Sequence, residues 1–192
     1  MEKIAEKIVD SLISHQHIKK NEKDDYVYAM IMLMEKWISI SIVLILSILF
    51  QKTIPTILFL IFLLAIKRRS GGFHADTFGK CLVLTVGIYM CFVIFLYPIM
   101  VEKINLTYIL LAVSILIFLV IGAVNHPNMQ WNLEEYEASK NASRLVVILE
   151  GIMLWILDVL KADSGIIVFM AFAIILSAIL LLIAKVKKQE VL

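Results

Sequence analysis

Apolar positions gather into six runs, near residues 27–50, 54–66, 82–101, 106–124, 145–160 and 165–184. A helix that crosses a bilayer needs about 20 apolar residues. The third, fourth and sixth runs reach that length; the second and fifth are short. Lys67, Arg68 and Arg69 close the second run. Its length is completed either by these side chains snorkelling to the headgroups or by a shallow, partly re-entrant path. Pro55 falls in its first turn, where proline is tolerated. Ahead of the runs, Ile4, Ile8 and Leu12, flanked by Val9 and Ile13, recur at helical spacing, with Lys3, Glu6, Lys7 and Asp10 on the other face. Residues 1–25 are therefore expected to form a short amphipathic helix. It either lies on a negatively charged leaflet or caps the bundle.

Composition agrees with the pattern. The 192 residues are 61% hydrophobic with a mean hydropathy of +0.94, too apolar for an ordinary soluble domain. The expected fold is all-α, a polytopic membrane protein of about six transmembrane helices plus the N-terminal helix. It reads as one integral membrane domain over 1–192, divided into an interfacial helix (1–25), a helical bundle (26–184) and a basic cytoplasmic tail (185–192). The first 25 residues have no apolar core of signal-peptide type. The net charge of +2 leaves no nucleic-acid footprint. Where the charges fall is more informative. With six spans and an inner N-terminus, fourteen of the eighteen Lys and Arg residues fall on inner segments. Lys52, Lys103 and Lys161 fall on outer loops and Lys36 within the first run. That bias puts both termini in the cytoplasm. The longer inner segments, 67–81 and 125–144, are then where chemistry is expected.

The first of these carries Lys67-Arg68-Arg69-Ser70-Gly71-Gly72-Phe73-His74-Ala75-Asp76-Thr77-Phe78-Gly79-Lys80-Cys81. A thiol nucleophile needs a base nearby. On one straight helix His74 and Cys81 would stand about 10.5 Å apart along the axis, against the roughly 3–4 Å that proton transfer to sulfur requires. The segment must fold back, and Gly71, Gly72 and Gly79 give it that freedom. Asp76 or Thr77 is positioned to cap the helix that follows. Cys81 then falls near its first turn, where the helix dipole and Lys80 favour a thiolate. In that arrangement Cys81 is the nucleophile and His74 first the base, then the acid for the leaving amine. Glu35 and Asp76 are candidates for polar support of the histidine. By themselves, a cysteine at a span entrance is commonly an apolar filler and a loop histidine commonly a solvated group. Cys91, inside an apolar run, reads as packing, and two cysteines make no disulfide framework. His15-Gln16-His17 is a weak metal pair at most, and no Cys/His cluster has zinc spacing. No metal or cofactor is expected.

The run Arg69-Ser70-Gly71-Gly72-Phe73-His74-Ala75, with Cys81 six residues beyond Ala75, resembles the signature of the accessory gene regulator protein B (AgrB) family. These are membrane cysteine endopeptidases of Gram-positive bacteria that mature quorum-sensing peptides. Ala123-Val124-Asn125-His126-Pro127-Asn128 is similar to the family's loop after the fourth span. Two positions depart from the pattern: Met129-Gln130 replaces the usual Lys-Pro, and Ile31 stands where the family often carries Glu or Gln, with Glu35 one turn further along the same face. The resemblance implies that His74 and Cys81 are catalytic. It implies an AgrD-like precursor peptide as substrate, with an amphipathic start and an acidic tail that would meet Lys67, Arg68, Arg69 and Lys80. Cleavage would pass through an acyl-enzyme thioester, and the released segment would close into a ring. It also implies location in the cell membrane, among lipids, with a second copy of the chain as a candidate partner.

The alternative is a non-catalytic membrane scaffold or a small transporter subunit. Transporters place ionisable groups in mid-span, and the runs 82–101, 106–124 and 166–184 have almost none. Glu150 and Asp158 in the fifth run are exceptions, expected to pair with Arg144 or a neighbour. A metalloprotease would need a histidine pair that Glu134-Glu135 lacks.

Overall fold

The computed structural model describes residues 2–15, 19–73, 77–125 and 131–187. Its elements are α1 (Glu2–Ser14), α2 (Lys23–Leu49), α3 (Thr53–Ser70), α4 (Phe78–Cys91), α5 (Tyr97–Glu102), α6 (Ile104–Ile121), α7 (Leu133–Val159) and α8 (Ser164–Val186). Among the described residues the only strand-like contact is one isolated bridge, so the all-α expectation holds. Four segments are long and apolar enough to cross a membrane: α2, the continuous stretch Phe78–Glu102, α6 and α8.

The chain divides into two compact units, Met1–Ile45 and Leu46–Leu192. In the first, the expected helix over 1–25 is shorter. It stops at Ser14, and a short 3-10 turn at Lys20–Glu22 leads into α2. Ala5 and Val9 are fully buried while Ile4 and Ile8 stay exposed. The Lys23 ammonium meets the Asp10 carboxylate at 2.6 Å. The helical periodicity of the first residues is real, but α1 spends part of its apolar face on packing within the chain.

The second unit is built around α8. Its residues from Ile167 to Ala178 are buried on every side, as expected of a helix apolar all round. α3, α5, α6 and α7 pack against it. α3 contributes Phe59, Phe62 and Ile66, spaced for one face. The centre is aromatic: Phe92 stacks on Phe172 at 3.8 Å between ring centroids and meets Phe169 edge-on at 4.8 Å. Phe92 opens a five-residue π-helical turn, Phe92–Leu96, just ahead of Pro98. Proline lacks the N–H for the bond four residues back and clashes with that carbonyl, and a widened turn absorbs both defects.

Helix ends follow their caps. Asn132 and Glu135 form a reciprocal capping box at the start of α7, the Asn132 side chain accepting from the Glu135 N–H at 2.8 Å and the Glu135 carboxylate from the Asn132 N–H at 3.0 Å. That box starts α7 at Leu133, well before the apolar run at 145, so much of the expected 125–144 loop is helical. At the end of α6, Gly122 adopts φ +76°. A Cβ there would press to 2.4 Å on Lys140 Cγ, so the turn requires glycine.

Candidate functional site

The ends of α3, α6 and α8 meet at one end of the second unit, where short backbone contacts tie them together. The Val124 N–H donates to the Ser70 carbonyl at 2.9 Å and the Phe73 N–H to the Leu180 carbonyl at 3.1 Å. Gly71 bridges Val124 in parallel register. The Ser143 hydroxyl donates to the Gly122 carbonyl at 2.7 Å, which fastens α7 to the same turn. Gly71 and Gly72 take φ +65° and +119°, values that side chains disfavour. The double glycine therefore lets the chain leave α3 and run between α6 and α8. Ser70, Gly71 and Gly72 are all buried.

The other side of the segment is α4. Thr77 is its N-cap, with extended backbone and its hydroxyl accepting from the Lys80 N–H at 3.4 Å. Of the two expected caps, Thr77 is the one observed; Asp76 lies outside the described residues. Cys81 is the fourth residue of α4, its N–H donating to the Thr77 carbonyl at 3.0 Å. Its thiol is free and half-buried. Gly79 sits inside the helix with open space where a Cβ would go, so it does not form the turn that was expected to need it. His74 also lies outside the described residues.

The four basic residues are not equivalent. Arg68, Arg69 and Lys80 are exposed, whereas Lys67 is half-buried. The Lys67 ammonium turns back over Gly72; a Cβ on that glycine would lie 3.2 Å from Nζ and 3.8 Å from the Leu180 carbonyl. Burial lowers the Lys67 ammonium to about 8, and the negative charge of nearby Cys81 pulls it partly back up. Lys67 is the first residue beyond the apolar run 54–66. Its place next to the buried stripe of Phe59, Phe62 and Ile66 explains why it turns inward while its two neighbours do not. The side-by-side order Lys-Arg-Arg hides this difference.

The remaining candidates are dispersed. Glu35 is half-buried on α2 in the first unit, and its backbone carbonyl accepts from the Ser39 hydroxyl at 3.0 Å. Cys91 is exposed on the apolar surface of the bundle, which corrects its reading as packing. Asp158 accepts from the Tyr108 hydroxyl at 2.5 Å. Arg144 donates to Asn141 and to the Val120 carbonyl, both at 3.3 Å, so Glu150 does not gain the arginine partner expected for it. No metal-binding cluster occurs among the described residues.

Two features escaped the sequence reading. Ser143 looks like any helix serine until Gly122 is brought opposite it. A cavity of about 560 Å³ lies along Asn125, Trp131, Leu133 and Tyr136. Asn125 walls it by a reciprocal pair with the Trp131 backbone, 2.9 Å from Nδ2 to the carbonyl and 3.2 Å from the N–H to Oδ1. Val124, next to it in the chain, holds the Gly71 turn, so the cavity and the turn share a wall.

A family model described as Accessory gene regulator B matches residues 3–184 of the chain. No curated protein and no solved structure matches it.

Proposed function

Because the chain belongs to the accessory gene regulator B family, we propose that it is a membrane-embedded cysteine endopeptidase that cleaves a short precursor peptide and promotes its cyclisation. The family works in the processing of a quorum-sensing peptide, together with an AgrD precursor. The observation that carries the proposal for this chain is the setting of Cys81. A free thiol stands in the first turn of a capped helix, with a half-buried ammonium beside it and a tethered double-glycine turn leading toward it.

The steps follow from these groups. The Cys81 sulfur attacks the carbonyl carbon at the end of the future ring, and His74 takes the thiol proton. The tetrahedral intermediate collapses, the C–N bond breaks, and His74 returns the proton to the leaving amine. The precursor's tail departs and a thioester to Cys81 remains. A thiol or hydroxyl within the bound peptide then displaces Cys81 and closes a thiolactone or lactone. Lys67, close to the sulfur, stabilises the negative charge that develops during attack. Arg68, Arg69 and Lys80 are left to meet an acidic tail. Glu35 and Asp76 are candidate supports for the histidine.

The four apolar helices and the family place the protein in a membrane as a multi-pass chain. We extend this to six spans by adding α3 and α7, with both termini in the cytoplasm of a Gram-positive bacterium and α1 at the inner lipid surface. The basic residues gathered on the inner segments support that arrangement.

The decisive experiment traps the intermediate. Membranes carrying the full chain are mixed with a synthetic precursor that lacks the ring-closing residue, quenched in acid and analysed by mass spectrometry. A peptide joined to Cys81, released by hydroxylamine, is expected. Cleavage without any adduct on Cys81 would overturn the mechanism, and absence of cleavage by the intact chain would favour a scaffold.

A further inference from the structure

α7 buries one stripe: Ser143, Val147, Glu150 and Leu154. Three of these positions suit an interior. Glu150 is the exception, a carboxyl only 8% exposed with an oxygen, Oε2, that has no hydrogen-bond partner. On α8, Ser177 is 2% exposed and its hydroxyl is likewise without a partner. Buried polar atoms in folded proteins are almost always paired. Two unpaired ones on adjacent helices call for one explanation.

The register brings them together. α7 and α8 form an antiparallel pair joined by residues 160–163. Counted back from Val159, Glu150 lies about 13.5 Å along α7; counted forward from Ser164, Ser177 lies about 19.5 Å along α8. The two positions thus differ by roughly one turn. Helical side chains lean toward their own N-termini, which moves the carboxyl and the hydroxyl toward each other.

No counter-charge faces the acid. α7 packs against α3, α6 and α8. On α6, Ile115 approaches Gly151, and the nearest titratable group is Tyr108, seven residues away and already bonded to Asp158. On α3, the stack of Phe59 on Phe172 sets the level, and Lys67 lies about two turns beyond it. On α8 the one ionisable group, Lys185, is in the last turn. On α7 itself, Arg144 is engaged by Asn141 and Val120, and Asp158 by Tyr108. An ionised carboxylate without a partner in such a place costs several kcal/mol. A neutral acid that donates and accepts hydrogen bonds does not.

We propose that Glu150 and Ser177 form a proton-binding site between α7 and α8, in which the carboxyl is carried in its neutral acid form and the serine completes its hydrogen bonding through a bridging water. The ligand is a proton, and the site stands apart from Cys81 and from the peptidase reading. Ionisable groups held within a membrane bundle are expensive to keep, and they commonly carry protons or counter-ions.

Infrared spectroscopy of the full chain in lipid nanodiscs at neutral pH tests the site directly. The wild type is expected to show the carbonyl stretch of a protonated carboxylic acid, displaced when the glutamates are labelled with carbon-13. The band is lost in Glu150→Gln and shifts in frequency in Ser177→Ala. Because the labelled wild type reports by itself, the result stands even if a variant folds poorly. A wild-type spectrum without the band, or a band that survives in Glu150→Gln, overturns the proposal. An unshifted band in Ser177→Ala removes the serine from the site and refutes the paired arrangement.

Discussion

Cys81 and Cys91 stand at the two ends of the same helix, α4, and their surroundings share little. Cys81 follows a threonine cap and is half-buried beside the Lys67 ammonium. Cys91 faces outward on the apolar surface, just before the π-helical turn. The side chains are identical, so any difference in chemistry comes from the end of the helix that each occupies. The N-terminal end offers unpaired N–H groups and the positive pole of the dipole. The far end offers apolar surface, where a thiol is a small hydrophobe.

The contrast breaks most visibly at its centre. Cys81→Ala should reduce precursor cleavage by on the order of 10⁴-fold or more, with membrane insertion unchanged. Cleavage that persists near the wild-type rate in membrane vesicles would remove Cys81 as nucleophile. His74→Ala should cost about 10²–10⁴-fold, the usual worth of a general base, and should slow alkylation of Cys81 near neutral pH. An unaltered alkylation rate would separate the histidine from the thiol.

Lys67→Gln sharpens the comparison through pH. The ammonium is largely charged below about 8 and loses its charge as the pH rises through that value. The variant should therefore alkylate at Cys81 about tenfold more slowly than the wild type below that pH, which corresponds to about 1.4 kcal/mol of charge stabilisation. The two rates should converge above it, and Cys91 should show no such dependence. A ratio that stays constant with pH would assign Lys67 a packing role. Folding stability follows the same linkage. A lysine whose folded-state value is depressed leaves the native state short of protons relative to the unfolded chain, so its contribution rises as pH climbs from about 8 toward 10.5.

Smaller effects are expected at the exposed positions. Replacing Arg68 and Arg69 by Gln should weaken processing of acidic-tailed precursors several-fold more than that of tail-truncated ones, since solvent-exposed ion pairs are each worth about 1 kcal/mol or less. Equal loss on both substrates would point to topology instead. Cys91→Ser should be close to neutral, within about 0.5 kcal/mol in thermal stability. A cleavage defect there as large as that of Cys81→Ala would reverse the assignment of the two cysteines.

Much of the fold is legible in residue order. The six apolar runs foretell α2, α3, the Phe78–Glu102 stretch, α6, α7 and α8, because continuous apolar sequence leaves a helix in lipid as the economical way to satisfy the backbone. The Gly71-Gly72 break and the Thr77 cap are equally local, as are the start of α4 and the place of Cys81 in it. Boundaries were less legible. α1 ends at Ser14 rather than near residue 25, and α7 begins twelve residues ahead of its apolar run because the Asn132–Glu135 box starts it.

The tertiary structure alone decided which of three adjacent cations turns inward, where Ser143 finds its acceptor, and that Glu150 is buried without a charged partner. These are matters of what lies opposite a residue, and what lies opposite is set by how helices distant in sequence pack. A run of side chains encodes its own helix, its cap and its breaks, since those interactions reach only three or four residues along the chain. The setting of Lys67 beside Cys81 depends on the double-glycine turn reaching Val124 and Leu180, more than fifty and a hundred residues further along.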